Sequence, residues 1–186
     1  MVLLIKQMTT NKKRMIIKMK NLYPDMYLQK VQDITIEDLM KNKIKLLILD
    51  IDNTLIDYYK NLPDEIVDWI KEMKGQGIKL YLLTNTNSKE KAEGVAKKLD
   101  LPYENFAMKP LKRGFKKVQK ITKVKTENIA VVGDQIFTDV LGGNRCKMFT
   151  ILVEPIDKQK DYWYTAWKRP IENKIKIKIK KQMNNK

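Results

Sequence analysis

The chain has 186 residues, 43% of them hydrophobic, and a formal net charge of +16, with no histidine and one cysteine. The missing histidine excludes Ser-His-Asp triads, phosphohistidine chemistry and histidine-ligated zinc or iron, and a lone Cys146 excludes both a thiolate zinc cluster and an internal disulfide. One domain with a substantial core is expected at this length, and because no apolar run approaches the ~20 residues that cross a bilayer, a cytoplasmic location is expected.

In chain order, ITIEDLMKNK (34–43) predicts a short helix and IKLLILD (44–50) a strand. PDEIVDWIKEMKGQG (63–77) has proline at a helix start, apolar residues at 66, 67, 70 and 73, and a glycine stop. Strand IKLYLLTN (78–85) follows, then a helix over NSKEKAEGVAKKL, capped by Asn87 or Ser88. A short strand near 104–107, a helix over 111–121, strand NIAVVGD (128–134), a helix over 135–143 and strand MFTILV (148–153) complete the series. Such alternation predicts an α/β, three-layer Rossmann-like parallel sheet with helices on both faces. The terminal IKIKIK run alternates like a strand with one apolar edge, and its length equally allows a frayed tail.

Charge divides the chain. Residues 1–30 hold seven basic residues and one acid, and 156–186 hold ten and three, so the two ends carry +13 of the +16. We therefore read 1–30 as a basic N-terminal extension, 31–155 as the globular domain and 156–186 as an aromatic and basic C-terminal segment, with Tyr162, Trp163, Tyr164 and Trp167 beside its cations. Basic ends suit solvated tails, an anionic membrane surface or, less favoured, nucleic acid.

The chemistry gathers at strand ends. Asp50 and Asp52, one step apart after an apolar run, point to the same side of their strand. Two such charges repel, and a divalent cation, a lysine or a shared proton must compensate them. Thr84 and Asn85 end the next strand, Lys109 follows the short one, and Asp134 with Asp139 follows NIAVVG. In sheets of this class ligands bind beyond the carboxyl ends of the strands. Neither GxxxxGK[ST] nor GxGxxG occurs, so P-loop and dinucleotide binding lose support.

The order DIDNT, a strand ending in threonine, a lysine, then GDxxxxD resembles the four motifs of the haloacid dehalogenase (HAD) superfamily of phosphatases over roughly 44–153. KNLYPDMYLQKVQDITIEDL and GDQIFTDVLGGNRCKMFTILV further resemble the YqeG family, which is similar to mitochondrial and plastid phosphatidylglycerophosphate phosphatases. The resemblance implies a Mg²⁺-dependent phosphomonoester hydrolase. Asp50 would be the nucleophile that forms an aspartyl-phosphate, and Asp52 the general acid and then base. Mg²⁺ would be held by Asp50, the backbone carbonyl of Asp52 and Asp134, while Asp139 orders a water on the metal or orients Lys109. Thr84, the Asn85 amide and Lys109 would bind the phosphoryl group, with Asn53 and Thr54 shaping the turn beside it.

Only 29 residues separate Thr54 from Thr84, and 24 separate Thr84 from Lys109, so neither interval has room for a cap domain. An open site admits a phosphate at a membrane surface, and the expected substrate is phosphatidylglycerophosphate, with peripheral contact to anionic lipid. The alternatives are a soluble phosphometabolite or phosphoprotein, or a basic RNA- or ribosome-interacting protein on a phosphatase fold.

Overall fold

The computed structural model describes residues 21–157 and 169–183. Tyr162, Trp163, Tyr164 and Trp167 lie outside them. Six strands form one sheet: β1 (Met26–Leu28), β2 (Leu46–Leu49), β3 (Lys79–Leu83), β4 (Tyr103–Glu104), β5 (Ile129–Gly133) and β6 (Phe149–Val153). They lie in the order β1-β6-β5-β2-β3-β4, and every pairing is parallel. From β2 the chain steps outward to β3 and β4, then crosses back to add β5 on the other side. The switch point therefore falls between β2 and β5, where a crevice opens at the carboxyl ends of an α/β sheet.

Among the described residues the α-helices are α1 (Ile36–Lys41), α2 (Asp64–Gly75), α3 (Lys89–Leu99), α4 (Lys112–Thr122), α5 (Leu141–Arg145) and α6 (Arg169–Met183). Alternate residues of the strands feed two layers of core. Leu47, Leu49, Leu80, Leu82, Ala130 and Val132 pack with Leu39, Trp69, Ile70, Ala92 and Val95 on one face, under α1, α2 and α3. Leu46, Ile48, Tyr81, Ile129 and Val131 pack with Phe115 and Val118 of α4 on the other. All four residues of β2 are buried, each contributing roughly 1.5–3 kcal/mol. A slip of one residue would swap both faces at once, so the strand's register, and with it the position of Asp50, is fixed. No domain is inserted between β2 and β3 or between β3 and β4: each interval holds one helix and its loops.

The structure adds elements that sequence periodicity did not supply. β1, inside the basic 1–30 stretch, pairs with β6, and Tyr27 packs against the cluster of Ile136, Val140, Leu152 and Ile179. The IKIKIK run is neither strand nor tail but part of the fifteen-residue α6. Its inward residues are Glu172, Ile175, Lys176 and Ile179, a helical stripe in which two members are charged. In α2 Trp69 joins Ile66, Ile70 and Met73 in the core, with Val67 half-buried against them, and donates its indole N–H to the Ile34 carbonyl at 3.0 Å. The helix expected over 135–143 begins as a π turn (Ile136–Val140) that runs into α5. No helix among the described residues is long and apolar enough to cross a membrane.

Candidate active site

β2 and β5 are paired through Leu49 and Val132, and the Asp50 amide donates to the Val132 carbonyl at 2.9 Å. This places Asp50 and Asp134 side by side where the two strands end. Asp139 is returned to the same point by the π turn, which is held to the strand end by backbone bonds from Asp139 and Val140 to the Gln135 carbonyl. A Cβ on Gly133 would lie 2.3 Å from Asp139 Cγ, so only glycine permits that approach. Carboxylate oxygens of Asp50, Asp134 and Asp139 lie within 4.8 Å of one another, and all three residues are buried.

Lys109 binds this group from the loop after β4. Its Nζ donates to Asp50 Oδ1 at 2.6 Å and to Asp139 Oδ1 at 2.7 Å. The loop itself is clasped by Asn85: the Lys109 amide donates to Asn85 Oδ1 at 2.6 Å, and Asn85 Nδ2 donates to the Lys109 carbonyl at 3.0 Å. Burial alone would lower the Lys109 pKa, but Asp139 and Asp50 outweigh it and keep the ammonium charged. Burial raises the Asp50 pKa well above the usual carboxylate range; Lys109 opposes this, while Asp139, Asp134 and Asp52 add to it. Three buried carboxylates around one ammonium leave an excess of negative charge in an all-oxygen donor set. That chemistry fits a hard divalent cation, which would relieve the repulsion Asp50 meets.

Asp52 stands outside the trio and has a lysine of its own. Lys91 Nζ, from the first turn of α3, lies 2.6 Å from Asp52 Oδ1, with only 8% of the lysine side chain exposed. Of the three ways to compensate Asp50 and Asp52, the described residues thus supply a separate lysine for each. Thr84, fully enclosed at the end of β3, accepts from the Thr86 amide at 3.1 Å, which occupies a lone pair and spares the hydroxyl proton. Thr54 Oγ1 donates to Asp134 Oδ1 at 3.5 Å. Asn53 adopts a left-handed φ of 61°, and its Oδ1 accepts from the Asp157 amide, tying the turn after β2 to the segment after β6.

All nine residues picked from the sequence therefore lie at or beside one edge of the sheet. Two further ones were not foreseen. Lys91 carried a faint signal, one turn past the Ser88 cap, whose hydroxyl accepts from the Lys91 amide at 3.3 Å. Glu172, fully buried on α6, accepts from the Phe137 amide between Asp134 and Asp139 at 2.9 Å, and nothing local marked it.

Residues 58–147 match the model of the haloacid dehalogenase-like hydrolase family. A Bacillus subtilis (strain 168) protein named "Probable phosphatase YqeG" is 34% identical over 160 residues, 86% of this chain and 92% of that protein. Among solved structures, the fold is similar to that of the cobalt-bound deoxy-D-mannose-octulosonate 8-phosphate phosphatase from Haemophilus influenzae (18% identity, TM-score 0.51, 60% of this chain and 69% of that one). It is also similar to that of an uncharacterized protein from Listeria monocytogenes serotype 4b (15% identity, TM-score 0.51, 64% and 87%).

Proposed function

Because the chain belongs to the YqeG family of HAD-superfamily phosphatases, we propose that it hydrolyses a phosphomonoester through an aspartyl-phosphate on Asp50, with Mg²⁺ as the metal. The observation that carries this reading is Lys109 Nζ bridging Asp50 and Asp139 beside Asp134, at the crevice where β2 and β5 part. Asp50, Asp134 and the backbone carbonyl of Asp52 would hold the metal. Once bound, it supplies charge that lets an anionic nucleophile approach an anionic phosphoryl group.

The residues' own tasks follow. An Asp50 carboxylate oxygen attacks phosphorus, the bond from phosphorus to the leaving oxygen breaks, and Asp52 gives that oxygen its proton. Water then attacks phosphorus, the bond to Asp50 breaks, and Asp52 takes the water's proton. The Thr84 hydroxyl proton and the Asn85 amide hold phosphoryl oxygens, and Lys109 balances the charge that develops on them. Asp139 keeps Lys109 aimed at Asp50. Asn53 and Thr54 hold the turn that presents Asp52.

For the substrate we propose phosphatidylglycerophosphate, dephosphorylated to phosphatidylglycerol by a cytoplasmic enzyme bound peripherally to the inner membrane surface. Support comes from the lack of an inserted cap domain between β2 and β3 and between β3 and β4, and from the solvent face of α6, where Ile171 and Ile177 are exposed among Lys174, Lys178 and Lys181. Lysines near an anionic surface attract it by about 1 kcal/mol each. The test is phosphate release from a panel of lipid phosphates in detergent micelles, sugar phosphates and phosphopeptides, with Mg²⁺ and with chelator. Activity that is highest on phosphatidylglycerophosphate and abolished by chelator is expected. Faster turnover of a soluble ester would overturn the lipid assignment, and full activity in chelator would overturn the metal.

A further inference from the structure

Lys91, which pairs with Asp52, also lines a cleft of about 260 Å³ together with Lys60, Ser88, Glu90, Gly94 and Lys98 and the apolar Leu62 and Val95. Lys91 and Lys98 are two turns apart on the same face of α3, and Lys60 reaches the cleft from the turn that follows β2. Three ammonium groups face two carboxylates, Glu90 and the Asp52 that pairs with Lys91, so the cleft keeps a net positive charge. Among its lining residues is a glycine in mid-helix. A Cβ on Gly94 would meet nothing within 4 Å, so the residue forgoes helix propensity of roughly 1 kcal/mol without any packing need.

The cleft's position gives it a meaning in the reaction, and the inference rests on the phosphatase reading. A group that protonates the leaving oxygen must come within hydrogen-bond reach of it, so whatever that oxygen carries emerges past Asp52. The next side chain there is Lys91, 2.6 Å from Asp52 Oδ1. Hydrogen-bond lengths of ~3 Å at either end place an anion bound to Lys91 within roughly 9 Å of the leaving oxygen, the reach of a two- or three-carbon alcohol. A cleft smaller than the ~300–1,000 Å³ that encloses drug-sized ligands receives a headgroup and leaves acyl chains outside.

We propose that this cleft is a second anion subsite, in which Lys91, with Lys60 and Lys98 around it, binds a phosphodiester carried by the leaving alcohol. Lys91 thereby selects esters that bear a second phosphate over simple ones. A diacylated lipid headgroup and its deacylated, water-soluble counterpart present the same diester.

Two measurements on the full chain test this. The first compares kcat/KM with Mg²⁺ for glycerophosphoglycerol phosphate and for glycerol 3-phosphate, in wild type, Lys91→Met, Lys91→Arg and Gly94→Gln. Wild type should prefer the diester-bearing substrate at least tenfold. Lys91→Met should bring that preference close to unity, mainly through KM, and Lys91→Arg should recover most of it. Gly94→Gln, which strengthens the helix while filling the cleft, should lose the preference without losing stability. Equal loss on both substrates in Lys91→Met, or a preference that survives both Lys91→Met and Gly94→Gln, overturns the subsite. Repeating the comparison with the diacylated substrate in micelles assigns the source: a faster lipid reaction points to the headgroup, a faster soluble one to a free diester. The second measurement is calorimetric binding of bis(glyceryl) phosphate to Asp50→Asn protein with and without Lys91→Met. Binding that weakens at least tenfold on loss of Lys91 supports the subsite even if wild type hydrolyses neither ester, a result that would sink the phosphatase reading alone. Binding indifferent to Lys91 overturns the subsite whatever the enzyme hydrolyses.

Discussion

Glu172 of α6 accepts a hydrogen bond from the Phe137 amide at 2.9 Å, joining the C-terminal helix to the turn that carries Asp134 and Asp139. The carboxylate is fully buried, so the bond forms away from competing water. Removing the acceptor leaves a buried amide unsatisfied at a cost of about 1–3 kcal/mol. We predict that Glu172→Ala lowers the melting temperature and raises the Mg²⁺ concentration for half-maximal activity about tenfold, since the turn holding Asp134 loosens. Glu172→Gln, which keeps an acceptor oxygen, should do less. Metal titrations of the two variants check this, and an unchanged Mg²⁺ requirement in Glu172→Ala would separate α6 from the site.

Gly133 makes a second test of the same turn. The 2.3 Å approach of an added Cβ to Asp139 Cγ forces the acid, and with it Lys109, to move. Gly133→Ala should cost about 1–3 kcal/mol of stability and most of kcat. The same replacement at Gly75, the last residue of α2, meets nothing within 4 Å and should be harmless or slightly stabilising. Denaturant midpoints and turnover of the pair decide it; equal behaviour would contradict the packing described.

Glu154, at the end of β6, ties β1 to α6. It accepts from the Tyr27 hydroxyl, and the Lys176 and Lys180 ammonium groups each donate to it at 3.0 Å. Burial alone would raise its pKa, but Tyr27 and the two ammonium groups hold the carboxyl down at about 2. A folded pKa below the unfolded value of about 4.5 means that the stabilisation is complete above about pH 4.5 and fades as pH falls toward 2. Glu154→Gln should therefore destabilise by about 1–2 kcal/mol at pH 7, and the difference from wild type should shrink below pH 4.5. Urea unfolding across pH measures it, and a difference independent of pH would assign the effect to shape rather than charge.

The parts legible in the sequence were those written locally. The runs LLILD and IAVVGD are short, wholly apolar and end in acid, so strand, burial and exposed carboxylates could be read from a few neighbouring residues. Order along the chain then brought Asp50, Thr84, Lys109 and Asp134 to one edge, because parallel strands present their carboxyl ends together. What escaped was set by partners far away. Glu172 meets Phe137 35 residues distant, and Lys91 meets Asp52 39 residues distant. The inward stripe of α6 mixes lysine and glutamate with isoleucine, since Glu154 and the Phe137 amide satisfy its charges. Apolar periodicity cannot mark such a helix, and in IKIKIK it suited a strand or a frayed tail instead. β1 has three residues and, among the described residues, pairs along β6 alone, too short a run for any period to register.

Phosphate release from wild type and Asp50→Asn in the same buffer with Mg²⁺ decides whether Asp50 is the nucleophile of a Mg²⁺-supported phosphatase. An amide cannot form the acyl-phosphate, so turnover should fall at least about a thousandfold with the fold unchanged by circular dichroism. Retention of more than about a tenth of wild-type turnover would contradict it.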